Sequence, residues 1–139
     1  MRRLILDTNV LCSTWHGKLP RTVRVVDIKT ARQSAQSLKQ FYEDAFIVTP
    51  VKIEMLCGVR NAQELQITRV FLDEFEVIDA GLISKEDWIK AEQYAARSPR
   101  DGKPRDFADC LIRAIADRYH AELVTFDQGV PQALGNRRS

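Results

Sequence analysis

The stretch from Leu4 to Cys12, LILDTNVLC, constrains the fold of this 139-residue chain more than any other. Its first three residues are apolar and consecutive, which is typical of a short strand buried on both faces. Asp7, Thr8 and Asn9 follow directly and so stand at the carboxyl end of that strand. Ligands bind at this end of open α/β sheets, and an Asp there is costly to bury without a cation or several donors. The stretch therefore predicts a parallel sheet with a charged site beyond its first strand.

Length and composition fit one globular domain. The chain is long enough for an ordinary core, and its 45% hydrophobic and 29% charged residues are normal for a globular protein. No apolar run approaches the roughly 18 residues that a membrane span needs, and the apolar stretch after Arg2 and Arg3 is too short for a signal peptide. We expect a single domain over residues 1–139, a cytosolic location and a frayed tail over about 131–139.

The three cysteines, Cys12, Cys57 and Cys110, show no metal-binding or disulfide pattern. They contain no C-x-x-C pair and have no His at zinc spacing, so reduced and partly buried thiols are expected. Cys12 and Cys57 flank predicted acidic site residues, and the sequence leaves their sensitivity to oxidation open.

Basic residues cluster although the net charge is only +2. The first cluster lies within residues 18–32 and the second within residues 97–105; their members are Lys18, Arg21, Arg24, Lys29 and Arg32, and Arg97, Arg100, Lys103 and Arg105. Basic loops around an acidic centre suit a substrate with a phosphate backbone. On charge alone, however, ordinary solvated loops are the better explanation.

Periodicity in the rest of the chain predicts alternating helices and strands. Residues 13–29 have no clear period and are predicted to form a loop. Helices are predicted to start at about Thr30, at Pro50, at Asn61, after Ser84 and after Asp106. Thr49 is predicted as the N-cap of the second of these helices. In the helix after Ser84, the side chains of Trp88, Ala91 and Ala95 are predicted to face inward. Further strands are predicted over residues 45–49, 76–79 and 122–126. This order predicts a parallel sheet of about four strands with helices on both faces.

Three further acidic residues, Glu54, Asp109 and Asp127, stand beside apolar elements. Glu54 and Asp109 are placed near the starts of predicted helices, and Asp127 follows the last predicted strand as Asp7 follows the first. Strand carboxyl ends and the following helix amino ends share one edge, so the four residues can converge. Each has an ordinary structural explanation when taken singly, and the prediction depends on their joint placement.

Four converging carboxylates predict a metal site. They would raise one another's pKa values unless divalent cations were bound. Oxygen ligands without His or Cys select Mg²⁺ or Mn²⁺. One or two such ions beside basic loops suit metal-assisted phosphodiester hydrolysis.

Four segments resemble, in order, the successive blocks of PIN-domain ribonucleases, and most of all the small toxins of bacterial VapBC-type toxin–antitoxin pairs. They are LILDTNVLC, TPVKIEMLCGV, RDFADCLIRAIA and AELVTFDQGV, and together they span Leu4 to Val130. The resemblance implies a PIN-like three-layer α/β sandwich with a parallel sheet of about four to five strands. It also implies Mg²⁺- or Mn²⁺-dependent endoribonuclease activity, homodimerisation, and a cognate antitoxin whose C-terminal segment covers the active site.

The resemblance also implies residue roles. Asp7, Glu54, Asp109 and Asp127 match the family's four acids in order: Asp7 and Asp109 as the most direct metal ligands, Glu54 as a water-positioning residue and Asp127 as a ligand of a second ion. Thr8, Asn9 and Thr125 match small polar positions whose hydroxyl or amide can orient a carboxylate. Asp106 is expected to be a helix cap, with a role as a fifth acid left open. The 18–32 segment is longer and more basic than the family pattern, so its role is also open.

Two other functions fit parts of the sequence. A non-catalytic PIN-like module that binds RNA or protein would keep the fold, although the presence of all four acids favours an enzyme. A phosphatase of the haloacid-dehalogenase type needs D-x-D after the first strand, but Asn9 occupies the second position. His16 and His120 are tied to no carboxylate by a motif, so neither is expected to act as a general base.

Overall fold

A computed structural model of the chain describes residues 3–15, 28–97, 102 and 104–126. Within these ranges it has two strands and six helices: β1 (Leu4–Leu6), α1 (Thr8–Trp15), α2 (Ile28–Phe41), α3 (Thr49–Cys57), α4 (Ala62–Asp73), α5 (Lys85–Ala95), α6 (Phe107–Arg118) and β2 (Glu122–Val124). None of these helices is long and apolar enough to cross a membrane. The predicted tail over 131–139 and most of the first basic cluster lie outside the described residues.

The first and last described strands are neighbours. β1 and β2 pair in parallel, with Leu4 opposite Glu122 and Leu6 opposite Val124. Single parallel bridges continue this pairing, from Ile5 to Phe46 and from Ile47 to Val77. Four chain segments therefore run side by side in one direction, and their carboxyl ends share one edge.

The prediction of four to five strands is wrong for the described part of the chain, which contains two. The segments predicted as the second and third strands, residues 45–49 and 76–79, form only single bridges. Turns shorten both extended segments. The chain enters the first from a turn at residues 43–44, both with positive φ, and leaves it into α3 at Thr49. After Val77 it turns again, with φ of 80° at Gly81. Too few extended residues remain for a ladder of hydrogen bonds.

Side-chain caps confirm three of the predicted helix starts. Asn61 accepts a hydrogen bond from the Glu64 N–H at the start of α4. Ser84 and Asp87 form a reciprocal capping box at the start of α5. Asp106 accepts from the Asp109 N–H at the start of α6. Each cap satisfies a backbone donor that the first helical turn leaves without a partner.

Three local predictions are wrong. Residues 13–15 are helical, because α1 continues through Trp15. The N-cap of α3 is Val48 rather than Thr49, since a carboxylate from another segment accepts the Thr49 N–H. Trp88 is 47% exposed rather than inward.

The orientation of α5 explains the exposure of Trp88. Asp87, Ala91 and Tyr94 form the buried face of this helix. Asp87 accepts two hydrogen bonds from the Arg118 guanidinium, both at 2.9 Å. This bidentate ion pair between α5 and α6 turns the residue after Asp87 toward solvent.

The core joins two packed helix pairs, α2 with α4 and α5 with α6, while α3 packs against α1, α4 and α6. Its most deeply buried large side chains include Ile5, Leu6, Ile47, Phe71 and Ile112. The core thus holds β1, α3 and α6 together; Asp7 directly follows β1, and Glu54 and Asp109 lie in α3 and α6.

Candidate functional site

Asp7 lies between the end of β1 and the start of α1 and is only 2% exposed. Its backbone N–H donates to the Val124 carbonyl at 2.9 Å, and its own carbonyl accepts from the Leu11 N–H. Its side-chain Oδ1 accepts from the Thr8 N–H at 2.8 Å. The positive end of the α1 dipole favours a carboxylate here. Strand pairing and the helix start together fix this buried charge in position.

Thr125, which follows β2, holds the other oxygen of this carboxylate. The Thr125 hydroxyl donates to Asp7 Oδ2 at 2.7 Å and accepts from Asn9 Nδ2 at 3.1 Å. Asn9 Oδ1 in turn accepts from the Phe126 N–H at 3.1 Å. The two strand ends are therefore joined by a short hydrogen-bond chain that orients Asp7.

Glu54 reaches the same edge from α3. Its Oε1 accepts from the Thr8 hydroxyl at 2.5 Å. The sequence placed it near the start of this helix, in about the first turn; it is the sixth residue of α3, so that placement is wrong by about half a turn. Because Thr8 also donates its N–H to Asp7, one residue holds both carboxylates.

The electrostatics of Glu54 reflect this crowding. Burial raises the pKa of its carboxyl group, the hydrogen bond from Thr8 lowers it, and the negative charges of Asp106 and then Asp7 raise it again. Burial also raises the pKa of the nearby Cys12 thiol, as do the charges of Glu54 and Asp7. A bound cation would relieve this repulsion.

Asp106 and Asp109 stand at the start of α6. Asp106 Oδ1 accepts from the Asp109 N–H at 3.1 Å, so Asp106 is the predicted cap. Asp109 lies in the first turn and is half-buried. Because α3 packs against α6 and Asp106 acts electrostatically on Glu54, the start of α6 belongs to the same neighbourhood.

The structure connects most of the predicted residues and leaves others apart. Direct hydrogen bonds join Asp7, Thr8, Asn9, Thr125 and Glu54, and Asp106 joins them through its charge. Within residues 3–15, 28–97, 102 and 104–126, no group of three or more His, Cys, Asp or Glu side chains is arranged to hold a metal.

Three other residues that the sequence analysis weighed do not join this network among the described residues. Asp127 and His16 lie outside the described residues. His120 is exposed in the turn between α6 and β2, with φ of 52°.

Asp79 is the residue that sequence reasoning missed. It is 1% exposed, and its carboxylate accepts from both the N–H and the hydroxyl of Thr49, each at 3.0 Å. It thus caps α3, the helix that carries Glu54. Its sequence signal is the one that marked Asp7, an acid directly after an apolar extended segment.

The donor chemistry of the site fits a hard cation. Asp7 and Glu54 supply carboxylate oxygens, which Mg²⁺ and Mn²⁺ prefer. A carboxylate has about four acceptor positions, so an oxygen that accepts a hydrogen bond can also ligate a cation. The bonds from Thr8 and Thr125 are therefore compatible with metal binding at Asp7.

Comparison with known proteins identifies a family. A family model described as the PIN domain matches residues 4–133, which is most of the chain. This range contains all four segments that carry the resemblance seen in the sequence. No curated protein matches the chain.

Proposed function

The chain belongs to the PIN-domain family, and on that premise we propose that it is a metal-dependent endoribonuclease. Members of this family are commonly nucleases, and they generally use divalent metal ions. The observation that carries the proposal is the buried Asp7 carboxylate, held by Thr8 and Thr125 beside Glu54 at the carboxyl edge of the parallel strands. Such an oriented pair of carboxylates is what hydrolysis of a phosphodiester at a hard cation requires.

Asp7, Glu54, Asp109 and Asp127 would hold one or two Mg²⁺ or Mn²⁺ ions. When bound, such an ion activates water and neutralises charge that develops on the phosphoryl group. Asp7 and Asp109 are proposed as the direct ligands, and Asp127 as a ligand of a second ion.

The surrounding residues act on these carboxylates. Thr125, supported by Asn9, holds one oxygen of Asp7, and the Thr8 N–H holds the other. Asp106 fixes the first turn of α6 and so positions Asp109. Glu54, oriented by the Thr8 hydroxyl, would position the attacking water. Fixed partners of this kind reduce the reorganisation that the reaction needs.

The biological setting is proposed from the resemblance to VapBC-type toxins. In this setting the protein is the toxin of a type II toxin–antitoxin pair and cleaves RNA in the cytoplasm. The chain forms a single PIN-like domain, and two copies form a homodimer. A cognate antitoxin inhibits it.

The test is cleavage of a mixture of structured RNAs by purified protein with Mg²⁺, Mn²⁺ or EDTA. We expect cleavage with either metal, none with EDTA, and loss of cleavage in Asp7→Asn and in Asp109→Asn. Glu92→Gln, which removes an exposed acid on α5, is the matched control and should cleave as the parent does. Equal cleavage by Asp7→Asn and the parent would refute the proposed site. Metal-independent RNA binding without cleavage would favour a non-catalytic module.

A further inference from the structure

We propose that Asp79 is a positioning residue of the carboxylate site: it fixes the start of α3 and thereby holds Glu54 against Thr8. The inference rests on the proposed ribonuclease function and deepens it, because it assigns a role to a residue outside the hydrogen-bond network of the site. Asp79 acts through the backbone of α3, the short helix from Thr49 to Cys57.

Both oxygens of the Asp79 carboxylate bind the first residue of α3. Oδ1 accepts from the Thr49 N–H and from the Thr49 hydroxyl, each at 3.0 Å, and Oδ2 accepts from the same N–H at 3.3 Å. Asp79 is only 1% exposed, and hydrogen bonds to a charged acceptor are about twice as strong as neutral ones. Val48, at the N-cap position, makes no side-chain cap bond. A carboxylate from a distant segment therefore supplies the cap of this helix.

The pairing of two extended segments accounts for this contact. The Ile78 N–H donates to the Ile47 carbonyl at 3.0 Å, within the parallel bridge between Ile47 and Val77. Thr49 and Asp79 each stand two positions beyond the bridged pair. Side chains two positions apart in extended backbone lie on the same face, so this register brings the carboxylate to the start of α3.

A turn directly after Asp79 keeps the carboxylate in place. Ala80 and Gly81 have positive φ, 51° and 80°, and the Leu82 N–H closes the turn on the Asp79 carbonyl at 2.8 Å. Left-handed backbone is unfavourable for alanine and persists only where the surrounding structure imposes it. The Leu82 carbonyl also accepts from the Arg118 guanidinium at 2.9 Å. The turn is therefore tied to α6, the other helix that carries a proposed metal ligand.

The helix α3 connects this fixed point to the site. It has nine residues and is therefore about 13 Å long, and Glu54 is its sixth residue. Its far end, at Cys57 and Gly58, is exposed. The buried residues of α3 are apolar, and apolar contacts have no preferred direction. The hydrogen bonds at Thr49 therefore set how far the helix is rotated and shifted along its axis.

Two contacts farther along α3 depend on that position. Glu54 Oε1 accepts from the Thr8 hydroxyl at 2.5 Å, and Cys12 Sγ lies 3.4 Å from Met55 Sδ. A helix that is no longer held at its start would loosen both contacts together. In the proposed function Glu54 positions the attacking water, and misplacement by about 1 Å can cost about 100-fold in rate. We therefore expect Asp79 to affect the chemical step and not the binding of RNA.

The test compares the loss of two helix caps. Asp79→Ala removes the cap of α3, and Asn61→Ala removes the cap of α4, which carries no proposed site residue. Single-turnover cleavage of the structured RNAs with saturating Mn²⁺ is measured at increasing protein concentration, which separates the maximal rate from the half-saturating concentration. Asp79→Ala is expected to lower the maximal rate about 10–100-fold with unchanged half-saturation. Asn61→Ala is expected to change neither quantity.

A conservative variant separates the cap from the charge. Asp79→Asn keeps a side-chain oxygen that can accept the Thr49 N–H, and Asn is a good helix cap. It is expected to cleave much faster than Asp79→Ala. All variants are assayed at a temperature at which circular dichroism shows them to be folded, so that unfolding does not contribute to the rates.

A second measurement needs neither metal nor RNA. In a Cys57→Ser background, alkylation of Cys12 by iodoacetamide reports how closely α1 and α3 pack beside Glu54, because Cys12 contacts Met55. Cys12 is expected to be modified faster in Asp79→Ala than in the parent, and at the parent's rate in Asn61→Ala.

The outcomes distinguish this inference from the proposed function. Cleavage by Asp79→Ala at the parent's rate overturns the inference while the parent remains a ribonuclease. Equal losses of rate in Asp79→Ala and Asn61→Ala also overturn it, because they assign the effect to general stability. If the parent itself does not cleave, the ribonuclease proposal fails, and alkylation then decides whether Asp79 holds the helix of Glu54. Faster modification in Asp79→Ala alone supports this role, and equal rates in all three proteins overturn it.

Discussion

At the scale of single residues, the site depends on hydroxyl groups as much as on carboxylates. A buried charge such as Asp7 is tolerated only where donors replace water, and the Thr8 N–H and the Thr125 hydroxyl do this. The Thr8 hydroxyl does the same for Glu54. Each carboxylate is therefore both stabilised and aimed by a neighbour that carries no charge.

Replacing Thr125 tests this directly. Thr125→Val keeps the shape of the side chain but removes the donor to Asp7 Oδ2, so we expect a loss of about 1.5–3 kcal/mol in the free energy of unfolding. We also expect about 10–100-fold weaker metal binding. Chemical denaturation and metal titration measure the two effects. Thr125→Ser, which retains the hydroxyl, is the control, and equal losses in both variants would show that the hydroxyl has no role.

The raised pKa of Glu54 predicts a pH dependence in metal-free protein. Its carboxyl is harder to ionise in the folded chain than in the unfolded chain. The contribution of this one group to the free energy of unfolding is therefore most favourable below about pH 4, the ordinary carboxyl range, and is lost as the pH rises through the raised value. Glu54→Gln has no carboxyl group to ionise at this position and so does not lose this contribution. At neutral pH its free energy of unfolding should exceed that of the parent by at most about 1 kcal/mol, because the site is partly exposed.

Denaturation of both proteins in EDTA across this pH range measures the difference. The difference in free energy of unfolding between Glu54→Gln and the parent should disappear on acidification. It should also disappear when Mn²⁺ is added to the parent. A difference that is constant with pH would assign the effect to something other than ionisation of Glu54.

Cys12 offers a second residue-level test. Burial and the charges of Glu54 and Asp7 raise the pKa of its thiol, so little thiolate forms at neutral pH. Cys57 is exposed. Alkylation by iodoacetamide, followed by mass spectrometry, should modify Cys57 before Cys12. Faster modification of Cys12, checked in a Cys57→Ser variant, would contradict the described environment.

At the scale of elements, helix ends do most of the positioning. Asp106 starts α6, Ser84 and Asp87 start α5, and Asp79 starts α3. The first two starts could be predicted because each cap lies within a few residues of the helix that it begins. The cap of α3 could not, because Asp79 is 30 residues from Thr49 and only the tertiary fold brings them together.

The Asp87–Arg118 ion pair gives a prediction at this scale. Arg118→Met leaves the Asp87 carboxylate buried without its cation, so we expect the free energy of unfolding to fall by about 2–4 kcal/mol. This is less than the loss expected for a deeply buried ion pair, because Arg118 is partly exposed. Thermal or chemical unfolding measures it. Arg60→Met removes one partner of the exposed Arg60–Glu64 pair and should cost no more than about 1 kcal/mol. Equal losses in the two variants would contradict the structural role of Asp87.

Side-chain orientation on a helix is harder to predict than its start. The apolar spacing of Trp88, Ala91 and Ala95 predicted an inward face. The structure instead buries Asp87, Ala91 and Tyr94. With this face inward, Asp87 pairs with Arg118 and the Tyr94 hydroxyl donates to Asp117, and these contacts stabilise the interface more than burial of the Trp88 indole would. A buried charge pair depends on a partner 31 residues away, which a local pattern does not contain.

At the scale of the whole molecule, the parallel arrangement creates the site. β1 and β2 are the first and last described strands, yet they are neighbours, and this pairing brings Thr125 to Asp7. The alternating order of elements predicted this edge, and the family match over residues 4–133 confirms the PIN resemblance. Strand lengths were overestimated, because apolar β-branched residues favour extended backbone but do not show where turns close a segment.

The central claim is that the carboxylates at this edge bind a divalent cation, and calorimetric titration of metal-free protein with Mn²⁺ tests it most directly. The parent and Glu92→Gln, the exposed control, should bind one or two ions with equal affinity. Asp7→Asn should lose binding, while its circular dichroism stays that of the folded parent. Binding by folded Asp7→Asn that equals the parent's, or no binding by the parent itself, would contradict the account.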